Sequence, residues 1–327
     1  MNDPEPAAPM KEASALVGRL LDRLETVVVG KRAALELVVG GALAGGHVLL
    51  EDLPGMGKTL IARSLAQVAG LDVGRIQFTP DLMPADVTGS VLYDPQRREF
   101  EFRPGPVFNT IVLGDEINRA PPKTQAALLE AMQERQVTVD GVSHRLPDPF
   151  VVLATQNPIE LEGTYPLPEA QIDRFMLRTS LGAPTPAEDA EIIRRRLARG
   201  TDDVQLEPVT DADGVRRLRA ALETVAVDDG IIDYCVALVH ATRASTQVEA
   251  GASPRGVEAL VKLARARAVI AGRGYVVPDD VKAVAVPALG HRLLLRPELW
   301  VRGVSGDDVI GECLEEVPTP PTLPDRS

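Results

Sequence analysis

Apolar residues recur at helical spacing over 13–26, where Leu16, Leu20, Leu21 and Leu24 share one side, and a second helix is expected over 32–44. Short apolar runs bounded by turn residues follow at 47–50, 74–78, 110–113 and 150–154. Such runs read as buried strands. Alternating with helical stretches, they predict a parallel sheet covered on both faces. Two hairpins interrupt the alternation. One spans 87–103 around an Asp-Pro-Gln-Arg-Arg turn; the other spans 137–146 around Asp140-Gly141, a strong two-residue turn signal. After Leu181 the pattern changes to helices alone, expected over 187–198, 211–221, 229–245, 254–271 and 278–291. Thr185 is placed to cap the first of them, ahead of Pro186 and Glu188. The chain therefore divides into a tail (1–12), an α/β core (13–183), an all-helical domain (184–315) and a proline-rich tail (316–327).

Composition narrows the function. The 327 residues are 45% hydrophobic and 25% charged, the make-up of a globular protein rather than a disordered or fibrous one. Lys and Arg number 35 against 47 Asp and Glu, a net charge of −12, so the surface as a whole repels nucleic acid and anionic membrane. The longest apolar run, 37–50, holds four glycines and His47 and falls short of the roughly 20 residues a membrane span needs. The acidic, proline-bearing start lacks the form of a signal peptide, and a cytoplasmic location is expected. Cys235 and Cys313 form no metal-binding pair, and His47, His144, His240 and His291 are expected to be bystanders.

The chemistry concentrates in HVLLEDLPGMGKTLIARSLA. A strand runs into a loop ending Gly55-Met56-Gly57-Lys58-Thr59, and a helix starts at Leu60. That is the setting of a phosphate-binding loop. Glycines let backbone N–H groups converge on phosphate, and the helix dipole adds to them. Lys58 can reach the β- and γ-phosphates, and the Thr59 hydroxyl can ligate Mg²⁺. The pattern G-x-x-x-x-G-K-[ST] is broken at its first position, where Asp52 stands; Pro54 presets the bend, and Asp52 is expected to point away from the phosphates. A second apolar strand ends in Asp115-Glu116, 57 residues after Lys58. Its carboxylates would arrive at the sheet's carboxyl edge, where α/β folds bind ligands. Asp115 is suited to hold Mg²⁺ through its water shell, and Glu116 to orient and polarise an attacking water.

These runs, with FTPDLMPADVTG (78–89), FRPGPVF (102–108), LGDEINRAPPKTQAALLEAMQE (113–134), ATQNP (154–158), LPEAQIDRF (167–175) and SPRG (253–256), resemble the MoxR family of AAA+ ATPases over residues 14–295. The resemblance implies an AAA+ core with β-hairpin inserts and a small helical lid. It implies that Asn157 senses the γ-phosphate and that Arg174 is an arginine finger for a neighbouring subunit. Arg255 would be the second sensor, coupling nucleotide state to the lid, and Val29-Gly30 would lie at the adenine. The 87–103 hairpin matches an insert that faces a pore or substrate; Arg97 and Arg98 at its tip are candidates for partner contact, a solvated turn being the equal alternative. Asn118 and Arg119 are candidates for a subunit interface. The implied activity is Mg²⁺-dependent ATP hydrolysis by a ring, a hexamer, that remodels protein partners such as von Willebrand factor A domain proteins. A nucleic-acid motor or clamp loader is the rival. The mixed charge of the insert, Arg97, Arg98 and Arg103 against Asp94, Glu99 and Glu101, argues against it.

Overall fold

The computed structural model describes residues 8–53, 55–157, 163–300 and 302–321. Helices α1 (Ala8–Glu25) and α2 (Arg32–Leu43) open the chain, then β1 (Val48–Glu51), α3 (Lys58–Ala69), β2 (Val73–Gln77) and α4 (Pro84–Thr88). The hairpin β3 (Gly89–Asp94) and β4 (Glu99–Pro104) precedes β5 (Ile111–Asp115) and α5 (Pro122–Glu134). A second hairpin, β6 (Gln136–Val139) and β7 (Val142–Arg145), leads to β8 (Val151–Gln156), α6 (Glu169–Ile172) and β9 (Leu177–Thr179). The remainder comprises α7 (Pro186–Arg199), α8 (Ala212–Glu223), α9 (Asp229–Ala244), β10 (Val248–Ala250), α10 (Pro254–Ile270), α11 (Pro278–Leu289), β11 (Leu294–Leu295), α12 (Pro297–Trp300) and α13 (Gly306–Glu316).

The central sheet is parallel, in the order β2-β5-β8-β1-β9. Every residue of β5 is buried, as a strand covered on both faces requires. Leu21, Leu35, Ile61 and Leu113 build the core on one face; Phe78, Leu128, Phe150 and Phe175 build it on the other. The first of these cores runs on without a break into Val215, Leu263 and Val284 of the helical region. Residue 183 is thus a change of architecture but not a boundary between cores. Gly40 of α2 shows why the helices approach so closely: a Cβ there would lie 3.5 Å from the Ala266 methyl of α10.

The structure departs from the expected pattern in four places. Helix α1 begins at Ala8, so residues 8–12 are helical rather than tail; Met10 is buried and extends the stripe of Val17, Leu21 and Leu24. Strand β9 has only three residues, too few for periodicity to register, and gains its place by pairing with β1. The lid is helical but carries one short antiparallel pairing, β10 with β11. Finally, α12 and α13 extend the helical region, and Val317, placed in the C-terminal tail, packs against the core. Thr185 does cap α7: its hydroxyl accepts from the Glu188 N–H (3.3 Å) while the Glu188 carboxylate accepts from the Thr185 N–H (2.7 Å). No helix among the described residues is long and apolar enough to cross a membrane.

Candidate nucleotide site

The run from β1 into α3 is shaped by two glycines. Gly55 and Gly57 have φ of +83° and +85°, which L-residues rarely adopt, and a Cβ on either would meet nothing within 4 Å. The space beside both is open, at the N-terminus of α3. Pro54, assigned here from sequence, lies outside the described residues; Met56 and Leu60 flank the loop half-buried. The buried Lys58 ammonium donates to the Asp52 carbonyl at 2.6 Å and reaches the Gln156 carbonyl at 3.5 Å, so it sits over the carboxyl ends of β1 and β8.

The Asp52 side chain turns toward residues 180–182. Its buried carboxylate accepts from the Ser180 hydroxyl (2.6 Å) and from the backbone N–H groups of Leu181 (2.7 Å) and Gly182 (3.1 Å). The residue that breaks the glycine pattern therefore fastens the loop to the segment leading into α7. The same segment reaches Val29-Gly30 at its other end. Lys31 donates to the Ala183 carbonyl (3.1 Å) and pairs with Glu188 (3.3 Å), and a Cβ on Gly30 would lie 1.8 Å from the Glu188 carboxylate. With φ +71° as well, any other residue there would be strained and would have to displace the Glu188 carboxylate.

Strand β5 delivers Asp115 and Glu116 to the same edge. The buried Thr155 hydroxyl donates to Asp115 Oδ1 (2.7 Å) and accepts from the Glu116 N–H (2.8 Å), locking the two acids side by side. Glu116 itself has φ +57°, ψ +51°, a left-handed conformation that costs a non-glycine residue energy and tends to mark functional positions. Its Oε2 accepts from Gln77 Nε2 and Arg119 Nη1, each at 3.0 Å. Thr59 Oγ1 lies 3.4 Å from Asp115 Oδ2. These are hard oxygen donors converging at the mouth of the loop, the chemistry Mg²⁺ prefers when phosphate and water complete its shell. Asn157 is buried beyond β8, and Asn118 donates to its carbonyl at 3.3 Å. Asn118 and Arg119 thus both have partners within the subunit. Thr155, Gln77 and Arg75 were not picked out from sequence; Thr155 lies inside ATQNP, but β2 carries no motif to flag Arg75 and Gln77.

Arg174 and Arg255 are not part of this group. Parallel β9 aligns Leu177 with Val48, and the Met176 N–H donates to the His47 carbonyl at 2.9 Å, so the 173–176 loop lies at the amino edge of the sheet. Arg255 approaches the same loop, 3.5 Å from Asp173. The two arginines border a cleft of about 250 Å³ with Gly46, His47, Lys262 and Arg292. Arg292, 2% exposed, wraps the loop: it donates to the Asp173 carboxylate and carbonyl, to the Phe175 carbonyl (2.7 Å) and to the Ala288 carbonyl (2.7 Å). Asp173 also accepts from the Ser253 hydroxyl that caps α10. Arg174, by contrast, makes no ion pair among the described residues, and its buried Nε finds no acceptor there. Arg255, expected to couple nucleotide state to the lid, lies at the amino edge beside Asp173 and on the far side of the sheet from Lys58.

The histidines at this edge are structural. His47 Nδ1 accepts from the Val152 N–H (2.9 Å) and Nε2 donates to the Met132 carbonyl (3.2 Å), which requires the neutral ring; burial pushes its pKa down to about 3. His291 donates to the Phe175 carbonyl (3.2 Å), and burial likewise lowers its pKa.

Comparison with known proteins shows the family and the fold. Residues 47–177 match the family model of the ATPase family associated with various cellular activities (AAA), and residues 240–313 match that of the AAA lid domain. The chain is 47% identical to the uncharacterized protein YeaC of Bacillus subtilis, over 93% of this chain and 95% of that one. It is 42% identical to chaperone MoxR1 of Mycobacterium tuberculosis, over 92% and 82%. A crystal structure of a Cytophaga hutchinsonii protein described as a candidate ATPase superposes with a TM-score of 0.89 at 38% identity, covering 96% and 97% of the two chains.

Proposed function

The chain belongs to the MoxR family of AAA+ ATPases, and from that premise we propose that it hydrolyses ATP with Mg²⁺ in a ring whose sites are completed between neighbouring subunits. The observation that carries this reading is the division of the site. Lys58, Thr59, Asp115, Glu116 and Asn157 gather at one edge of the sheet, while Arg174 stands at the other with no acidic partner among the described residues. A chain that holds the phosphates at one edge and an unneutralised guanidinium at the other fits head-to-tail assembly, which forms a ring where the rotation between neighbours closes. A hexamer is the size the family resemblance implies.

The roles follow from the chemistry. N–H groups of residues 55–60 hold the phosphate oxygens, and Lys58 neutralises their charge. The adenine lies toward Val29-Gly30, along the 180–188 segment. Thr59 and Asp115 would hold Mg²⁺, which would supply charge neutralisation at the β- and γ-phosphates. Glu116 orients a water for in-line attack and receives its proton as the bond from γ-phosphorus to the bridging oxygen breaks. Asn157 positions the γ-phosphate. The neighbour's Arg174 stabilises the charge that builds on the transferring group, and Arg255, sharing Asp173 with the finger loop, acts from the same side. The site's own subunit supplies neither.

The work is on protein. The first hairpin leaves Phe100 76% and Tyr93 53% exposed, their rings 5.3 Å apart. Arg97 at its tip pairs with Asp94, an arrangement suited to a protein surface rather than to phosphate. MoxR1 is named a chaperone, which supports work on a client protein; a von Willebrand factor A domain protein is the class implied by resemblance, and the cytoplasm is the location we propose.

Glu116→Gln tests the reading. It keeps shape but cannot take a proton, so it should bind ATP as the wild type does, form the ring and release phosphate at least about a hundredfold more slowly. Near-normal turnover would move the base elsewhere.

A further inference from the structure

Arg75 projects from the edge strand β2, its side chain 46% exposed. Its Nη2 donates to Asp115 Oδ2 at 2.8 Å and to Gln77 Oε1 at 2.7 Å. Oδ2 is also the oxygen that faces Thr59, whereas Oδ1 is committed to the buried Thr155. The guanidinium therefore engages the one Asp115 oxygen available to a metal. Two cations on one carboxylate oxygen repel each other, and a divalent ion gains most from an oxygen unencumbered by a donor.

We propose that Arg75 is an internal counter-cation. It occupies the metal-facing oxygen of Asp115 while the site is empty and gives way when Mg²⁺ arrives with nucleotide. The inference rests on the reading above, in which Thr59 and Asp115 hold Mg²⁺. An ion pair this exposed is weak, which suits a contact that must be displaced in each cycle. Its presence raises the Mg²⁺ concentration at which Mg·ATP is held, and it keeps Asp115 oriented in the empty site.

The test is a Mg²⁺ titration at a fixed concentration of a fluorescent, non-hydrolysable ATP analogue, read by anisotropy. Arg75→Gln removes the charge and keeps a donor; its midpoint should fall about threefold to fivefold below wild type. Arg75→Lys keeps the charge and should stay near wild type. The gap between Arg75→Gln and wild type should narrow as salt rises, because an exposed pair is screened. Equal thermal melting of the three proteins without nucleotide confirms that the fold is intact. An unchanged midpoint in Arg75→Gln would overturn the proposal. So would loss of analogue binding at saturating Mg²⁺, which would make Arg75 a phosphate ligand instead. If wild type itself bound the analogue with no dependence on Mg²⁺, the assignment of Thr59 and Asp115 would fall, and this inference with it.

Discussion

At the carboxyl edge of the sheet, the candidate site is assembled from short contiguous runs, 55–60, 115–116 and 155–157, held by strand ends and one helix N-terminus. At the amino edge, the 173–176 loop is held by residues more than a hundred positions away in the chain, His47 through its carbonyl and His291 and Arg292 through their side chains. The carboxyl edge is mostly backbone geometry and needs glycine in particular places. The amino edge is side-chain packing, with a buried guanidinium saturated by acceptors and two neutral histidines beneath it. The difference teaches where each half is vulnerable. Local substitutions should silence the first while the fold survives, whereas the second depends on how the lid is seated.

The sharpest way to separate the edges is to disable each in turn. Lys58→Ala removes the main phosphate-facing charge and should abolish nucleotide binding; wild type should gain about 2.7 kcal/mol of stability at ATP one hundred times its Kd, and the variant nothing. Thermal melts with and without Mg·ATP read this directly. Arg174→Ala should instead keep ATP affinity and lose about a thousandfold or more of turnover, as arginine fingers do in GTPases. Mixing the two variants should restore ATPase activity that neither has alone, since one lends a finger and the other a competent loop. If subunits demonstrably exchange and no activity returns, the two edges do not meet between subunits.

A smaller effect tests the fastening between the loop and the 180–182 segment. Asp52→Gly restores the usual phosphate-loop pattern but removes a buried acceptor of three hydrogen bonds. It should cost about 3 kcal/mol of stability in a denaturant melt and leave ATP affinity near wild type. A collapse of affinity at unchanged stability would place Asp52 in the phosphate site after all.

Acid should loosen the amino edge. His47 holds its proton less tightly when folded, with a pKa of about 3 against 6.5 for a free histidine. The unfolded chain therefore takes up more protons between those values, and stability falls as pH drops below about 6.5. From pH 7 to pH 5 the loss due to this ring is about 2 kcal/mol. His47→Gln, which can still accept and donate, should flatten the fall in melting temperature over that range by the corresponding amount. An identical slope in wild type and variant would show that another group governs it.

Much of the carboxyl edge was legible because its physics is local. A strand, a glycine turn and Gly57-Lys58-Thr59 on a helix start each leave a mark within ten residues, and so does an apolar run ending in Asp115-Glu116. Helix periodicity and the Thr185–Glu188 cap are visible for the same reason. The three-residue strand β9 left no such mark, and residues 8–12 were read as tail because Pro4, Pro6 and Pro9 outweighed the apolar stripe that Met10 continues.

Sequence by itself determined most element types, the glycine loop before α3, the acid pair and the family to which they point, because glycine conformations, apolar spacing and strand-end carboxylates are set by near neighbours in the chain. Only the tertiary structure decided that Asp52 serves the linker rather than the loop, that Thr155 clamps the two acids and that Arg75 rests on Asp115. It alone put Arg255 beside Arg174 and away from Lys58, and alone joined the lid to the sheet's core. Each of these depends on which strands lie side by side and how the helices pack on them, and that is settled by burial summed over the whole chain rather than by any local run.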